Sequence, residues 1–212
     1  MQKTISVIIA VVIAAIVIAA LAASHPVENG SMQQGGLGKS FMGQREAESL
    51  LGAGTYSVQG PFSPANQSAA GIISMANQGS LNGNVTSYWL VSYNTTGPKV
   101  KSAFGSTNPG MTEYVFVTNN TGAVYPVLVY SYISGFNERY NVTLKWVNVT
   151  ALALNISMGG MTYSYLQGFN KSYSTPIAVL VGHKGDEVAL VEIGGENVSE
   201  QPLAAIVSND LP

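Results

Sequence analysis

Hydrophobic side chains run unbroken from Ile5 to Ala23, where Ser6 is the only polar residue, and beyond residue 43 they return in two shorter rhythms. As a helix rising 1.5 Å per residue the unbroken run is about 28 Å long, close to the roughly 30 Å hydrocarbon core of a bilayer. From Gln44 to Leu51 the rhythm is helical: Ala47, Leu50 and Leu51 fall at i, i+3 and i+4, and Gly52 and Gly54 offer a stop. Thr55 to Gln59 reads as a short strand. Asn66 then caps a second helix in which Ala69, Ile72, Ile73 and Ala76 keep the same spacing.

From Ser87 the period becomes two. Ser87 to Tyr93, Glu113 to Thr118 and Val124 to Ser134 are rich in Val, Tyr, Phe and Trp and read as strands between Asn, Gly and Pro clusters. Between Asn141 and Ser157 the residues Val142, Leu144, Trp146, Leu152, Leu154 and Ile156 share one parity, which an uninterrupted strand would turn toward the core. Asn148 has that parity too and begins a glycosylation triplet. A turn or bulge near Val147 to Val149 is therefore expected. Gly159-Gly160 turns the chain into a strand over Thr162 to Leu166. Ile177 to Val181, a loop over Gly182 to Asp186, and Glu187 to Ile193 form a hairpin whose first strand is apolar on both parities, so another layer should cover it. That layer is supplied by a terminal helix, with Ser199 as cap, Glu200 and Pro202 in its first turn, and Leu203, Ile206 and Val207 as its stripe. Val198 and Leu203 have the spacing of a hydrophobic staple.

The fold class is α+β: one extracytoplasmic domain over residues 44–212, mostly antiparallel sheet with two short early helices and a C-terminal helix. An all-β sandwich is the alternative. Residues 24–43 hold five glycines and no hydrophobic period, and read as a flexible tether. Gly38-Lys39-Ser40 within them lacks the earlier glycine and preceding strand of a phosphate-binding loop.

Charge sets the direction of the apolar run. Lys3 is the only charge before it and the next basic residue is Lys39, so residues 1–4 are expected in the cytoplasm and the rest outside, on a single-pass anchor over residues 1–23. Ala20-Leu21-Ala22 and Ala22-Ala23-Ser24 fit signal-peptidase sites, but the run exceeds the usual apolar core of a cleaved signal. Cleavage, giving a secreted domain, is the alternative. A pilin-like leader cut at Lys3-Thr4 is a third reading, opposed by the helix breakers His25-Pro26 and Asn29-Gly30.

Charged residues make up only 9% of the chain, so Asn, Ser, Thr, Gly, Gln and eleven Tyr carry its hydrophilicity. Without a basic block, nucleic acid is not an expected partner. The absence of cysteine removes thiol catalysis, zinc thiolates and disulfides. Of sixteen asparagines, ten begin Asn-x-Ser/Thr without proline: Asn29, Asn66, Asn84, Asn94, Asn119, Asn141, Asn148, Asn155, Asn170 and Asn197. Chance would give roughly three, and an acceptor must be exposed, so the chain is expected to carry N-linked glycans over much of its surface. In leader and composition it resembles the surface glycoproteins of archaea, notably acidophilic ones. A low carboxylate count suits acid, where few ion pairs are then lost to protonation.

No catalytic, cofactor or metal site emerges. His183, Asp186 and Glu187 share one short segment, but a glycine-flanked hairpin tip is a poor place for a preorganised site. The serine-hydrolase elbow is absent, since Gly71-Ile72-Ile73-Ser74 has the wrong spacing. Glu113, Glu138, Glu192 and Glu196 are the carboxylates from which a glycosidase-type pair would be drawn. Met158 and Met161 have no histidine beside them to complete a copper site. Tyr125, Tyr130, Tyr132, Tyr163, Tyr165 and Tyr173 are candidates for a binding face or simply for strand positions. The expected function is that of a membrane-anchored, glycosylated ectodomain serving binding, assembly or an accessory envelope role, without catalysis. A secreted hydrolase and a filament subunit are the alternatives.

Overall fold

The computed structural model describes residues 41–62, 84–102, 105–134 and 147–212. Its centre is an antiparallel sheet of seven strands. The strands are β1 (Gly54–Phe62), β2 (Val85–Thr95), β5 (Gly110–Thr118), β6 (Val147–Met158), β7 (Met161–Asn170), β8 (Pro176–Lys184) and β9 (Glu187–Gly194), in the spatial order β1-β2-β5-β9-β8-β7-β6. A small separate hairpin of β3 (Val100–Ser102) and β4 (Gly105–Thr107) lies between β2 and β5 in the chain. The sheet joins two meanders, β1-β2-β5 and β6-β7-β8-β9, which meet where β5 pairs with β9.

Both faces of the sheet are covered. Helix α1 (Gln44–Leu51) begins where the Glu46 carboxylate accepts the Gly43 N–H at 2.6 Å, satisfying one of the donors a helix start leaves open. Ala47 and Leu51 of α1, with Leu203, Ala204 and Val207 of α3 (Glu200–Asp210), bury a continuous cluster against Val91, Tyr93, Met111, Val115, Leu180 and Val191. The opposite face carries Tyr88, Leu90, Tyr114, Phe116, Val181 and Leu190, all buried. Helix α2 (Thr121–Val129) packs over β8 and β9 and buries Val124, Tyr125, Leu128 and Val129; a π-helical turn, Tyr130–Ser134, follows it. This is the mostly antiparallel, helix-bearing α+β domain expected, with the helices as two covering layers. Phe41 to Gly43, read as the end of the tether, pack here, and Met42 is fully buried.

Three expectations fail, each for a local reason. Val124 to Ser134 is α2 and the π-helical turn, not a strand. The Asn120 side chain caps it by accepting the Ala123 N–H at 3.1 Å, and a run apolar on every side fits a buried helix as well as a strand. Leu152, Leu154 and Ile156 are not in the core: they are 38%, 43% and 40% exposed, while Ala151 and Ala153 pack inward. The cause is a pair of bulges, between Val149 and Ala151 and between Ala153 and Ile156, which break the parity that a regular strand would keep. The first stands beside the stretch where the Asn148 triplet required a break. Finally, Gly182 to Lys184 continue β8, leaving only Gly185-Asp186 as the turn. Among the described residues there is one large sheet with helices, not two packed sheets. The apolar run 5–23, the helix beginning at Asn66, and Val142, Leu144 and Trp146 lie outside the described residues; among those described no helix is long and apolar enough to cross a membrane.

Candidate functional site

Seven of the ten triplet asparagines fall within the described residues, and none of the seven is buried: Asn119, Asn148, Asn155 and Asn197 are exposed, Asn84, Asn94 and Asn170 half-buried. Strand ends and turns account for most of them, because Asn and its hydroxyl partner satisfy backbone groups where the ladder stops. Asn170 is an example, its carboxamide oxygen accepting the Ser172 N–H at 2.9 Å. Asn197 accepts from the Gln167 side chain in the same manner. Asn29, Asn66 and Asn141 lie outside the described residues.

Asn155 is held by a network that the sequence did not announce. It sits in the second bulge of β6 at φ +53°, a left-handed conformation that Asn tolerates better than most residues. Its backbone N–H donates to Ser164 Oγ at 3.0 Å, and its side-chain oxygen accepts the Tyr125 hydroxyl at 3.2 Å. Tyr125 and Ser164 hydroxyls are themselves 3.0 Å apart, and the His183 ring lies against Tyr125 with centroids 4.5 Å apart. Tyrosine, serine and histidine therefore converge, yet Ser164 is fully buried and engaged with both neighbours, which suits a brace for the bulge and not a nucleophile. Burial lowers the His183 pKa, favouring the neutral form of the ring against Tyr125.

The candidate carboxylates separate. Glu113 and Glu192 stand on β5 and β9 at positions of opposite parity, with Glu192 opposite Thr112 and Glu113 opposite Val191, so they occupy opposite faces of the sheet. Glu113, 1% exposed, accepts the Met42 N–H at 2.8 Å, while Tyr56 donates its hydroxyl to the Met42 carbonyl at 2.9 Å. Burial, then the charges of Glu113, Asp210 and Glu46, raises the Tyr56 pKa and keeps that hydroxyl a donor. This clasp fixes the point at which the chain enters the domain. Glu192 instead lies half-buried on the α2 side, and burial pushes its carboxyl up to about 7. Its neighbours Tyr114 and Tyr132 have raised pKa values, through burial first and Glu192 second. Glu138 lies outside the described residues and Glu196 is half-buried after β9.

The segment His183, Asp186 and Glu187 is also divided. His183 pairs with Val188 on the α2 side, whereas Glu187 pairs with Lys184, whose ammonium reaches the Ser208 and Leu211 carbonyls at the end of α3. Lys184 thus caps that helix end. Met158 and Met161 face each other across the Gly159-Gly160 turn and pack into the core. The six candidate tyrosines form no common face. Tyr163 and Tyr165 are buried under α3, donating to Glu200 at 2.8 Å and to the Val198 carbonyl at 2.6 Å; Tyr125 and Tyr132 are buried on the other side; Tyr130 and Tyr173 are exposed. Among the described residues no group of three His, Cys, Asp or Glu side chains is arranged to hold a metal ion.

No protein-family model matches the chain, and no curated protein matches it.

Proposed function

We propose that the chain is a single-pass cell-surface glycoprotein, anchored in the membrane through Ile5 to Ala23, whose outward domain acts by binding or assembly in the envelope and not by catalysis. The observation that carries this reading is the placement of the triplets: seven asparagines, set by a three-residue pattern with no regard to parity, all fall on accessible positions of a domain whose core is otherwise continuous. Support comes also from the separation of Glu113 and Glu192, which removes these two as a paired acid and base. The charge-poor surface and the low carboxylate count favour an archaeal, acidic setting.

Lysine positions provide the test. Lys99, Lys101 and Lys171 are exposed on the domain, while Lys3 precedes the apolar run. A membrane-impermeant amine reagent applied to intact cells is expected to label Lys99, Lys101 and Lys171 and to reach Lys3 only after permeabilisation. Protection of the three domain lysines in intact cells contradicts the proposal.

A further inference from the structure

Among the described triplet asparagines, Asn94 alone has a strand partner on each side, Thr55 of β1 and Gly110 of β5. The backbone of its whole triplet, Asn94-Thr95-Thr96, is committed. The Asn94 carbonyl accepts the Thr55 hydroxyl at 3.4 Å, and the Thr95 N–H donates to the Pro109 carbonyl at 2.9 Å. Thr95 itself is 3% exposed. The Thr96 N–H and hydroxyl both donate to the Ala53 carbonyl, at 3.0 and 3.2 Å. The Asn170 triplet is a contrast, because it runs off the end of β7 into a turn where Lys171 and Ser172 are exposed. These differences bear on the chemistry of attachment. A carboxamide nitrogen is a weak nucleophile, its lone pair being delocalised into the carbonyl. A transferase must therefore activate it while gripping the hydroxyl residue two places on, which requires the three residues to leave any neighbouring strand.

We propose that Asn94 receives its sugar before β2 pairs with β1 and β5, so that the sheet closes around a chain already modified. The inference rests on the glycoprotein reading above. The donor is a sugar carried on a lipid phosphate. The Asn94 amide nitrogen forms a bond to the anomeric carbon as the bond from that carbon to the phosphate oxygen breaks; the phosphate leaves with the electron pair, and the nitrogen gives up one proton. In the folded sheet the Thr96 hydroxyl is held by Ala53, and freeing the triplet means parting β2 from both neighbours. Such an opening belongs to the costly end of local unfolding, since β2 lies inside the sheet. The closed fold nevertheless has room for the product. Asn94 shares its row with two glycines, Gly110 beside it on β5 and Gly194 beyond on β9. A side chain begun at Gly194 would meet nothing within 4 Å, so the space next to the asparagine is open.

The test uses full-length protein made in a host without N-linked glycosylation, purified in detergent and incubated with a single-subunit oligosaccharyltransferase and its lipid-linked oligosaccharide. A second form carries Leu180→Asp and Val191→Asp, which place two charges at fully buried positions and keep the sheet from forming. Circular dichroism and protease sensitivity verify that state. Glycopeptide mass spectrometry then compares Asn94 with Asn170. In the folded chain Asn94 is expected to be occupied at least about tenfold less than Asn170, and in the unfolded form to come within about twofold of it. Equal occupancy of the two in the folded chain, whether high or low, overturns the proposal, as does an Asn94 that stays bare in the unfolded form. Mapping of the protein from its native membrane separates the two levels. Sugars elsewhere with Asn94 bare overturn the early modification and leave the glycoprotein reading standing; bare asparagines throughout overturn both.

Discussion

Glu192 shows how one residue on a sheet face changes the behaviour of the whole. Its carboxyl titrates near 7 when folded against an ordinary value of 4.5, because ionising it beside Thr112, Val179, Tyr114 and Tyr132 forfeits hydration. Between those two values the folded chain holds a proton that the unfolded chain releases. This residue therefore makes the fold lose stability as pH rises through about 4.5 to 7, by up to about 3 kcal/mol, and has a constant effect on either side. Glu192→Gln is expected to raise the melting temperature at pH 8 and leave it nearly unchanged at pH 4; an equal shift at both values contradicts the assignment. Nothing along the sequence marked Glu192 out from Glu113, since their difference lies in which face of the sheet each occupies and in the side chains that surround it.

At the scale of elements, the helices with one apolar stripe were legible and the helix without one was not. Ala47 and Leu51 in α1, and Leu203 and Val207 in α3, are spaced to bury one side, and the structure buries them. In α2 the residues from Ala123 to Val129 are apolar throughout, so periodicity carried no information and β-favouring Val and Tyr suggested a strand. The decisive local signal was Asn120. Asn120→Ala removes the acceptor for the Ala123 N–H and is expected to cost about 1 kcal/mol in chemical denaturation, whereas Asn120→Asp is expected to retain most of it. An Ala variant as stable as the parent would show that burial alone sets the start of α2. The facing of β6 was lost for a different reason: two bulges reset parity, and only the Asn148 triplet gave warning of the first. β8 ran on through His183 because its pairing with Val188 outweighed the turn-like composition around Gly182.

Over the whole molecule, the surface was easier to read than the interior contacts. The triplets are short, local patterns, and their accessibility follows from where asparagine and threonine satisfy strand ends. The Tyr125, Ser164 and Asn155 brace and the Met42 clasp join residues far apart in the chain, and no window of sequence contains them. Both ends of the sheet and the β6 edge carry triplet asparagines, while α1 and α3 carry none. A domain without disulfides can rest on this core alone: a seven-stranded sheet buried on both faces supplies the apolar area that cysteine bridges supply in smaller secreted domains. The central claim, that the domain is exported and clothed in sugar, is tested most directly by glycopeptide mass spectrometry of the protein taken from its native membrane. Carbohydrate on most of Asn84, Asn94, Asn119, Asn148, Asn155, Asn170 and Asn197 is the predicted result, and unmodified asparagine at all seven would contradict it.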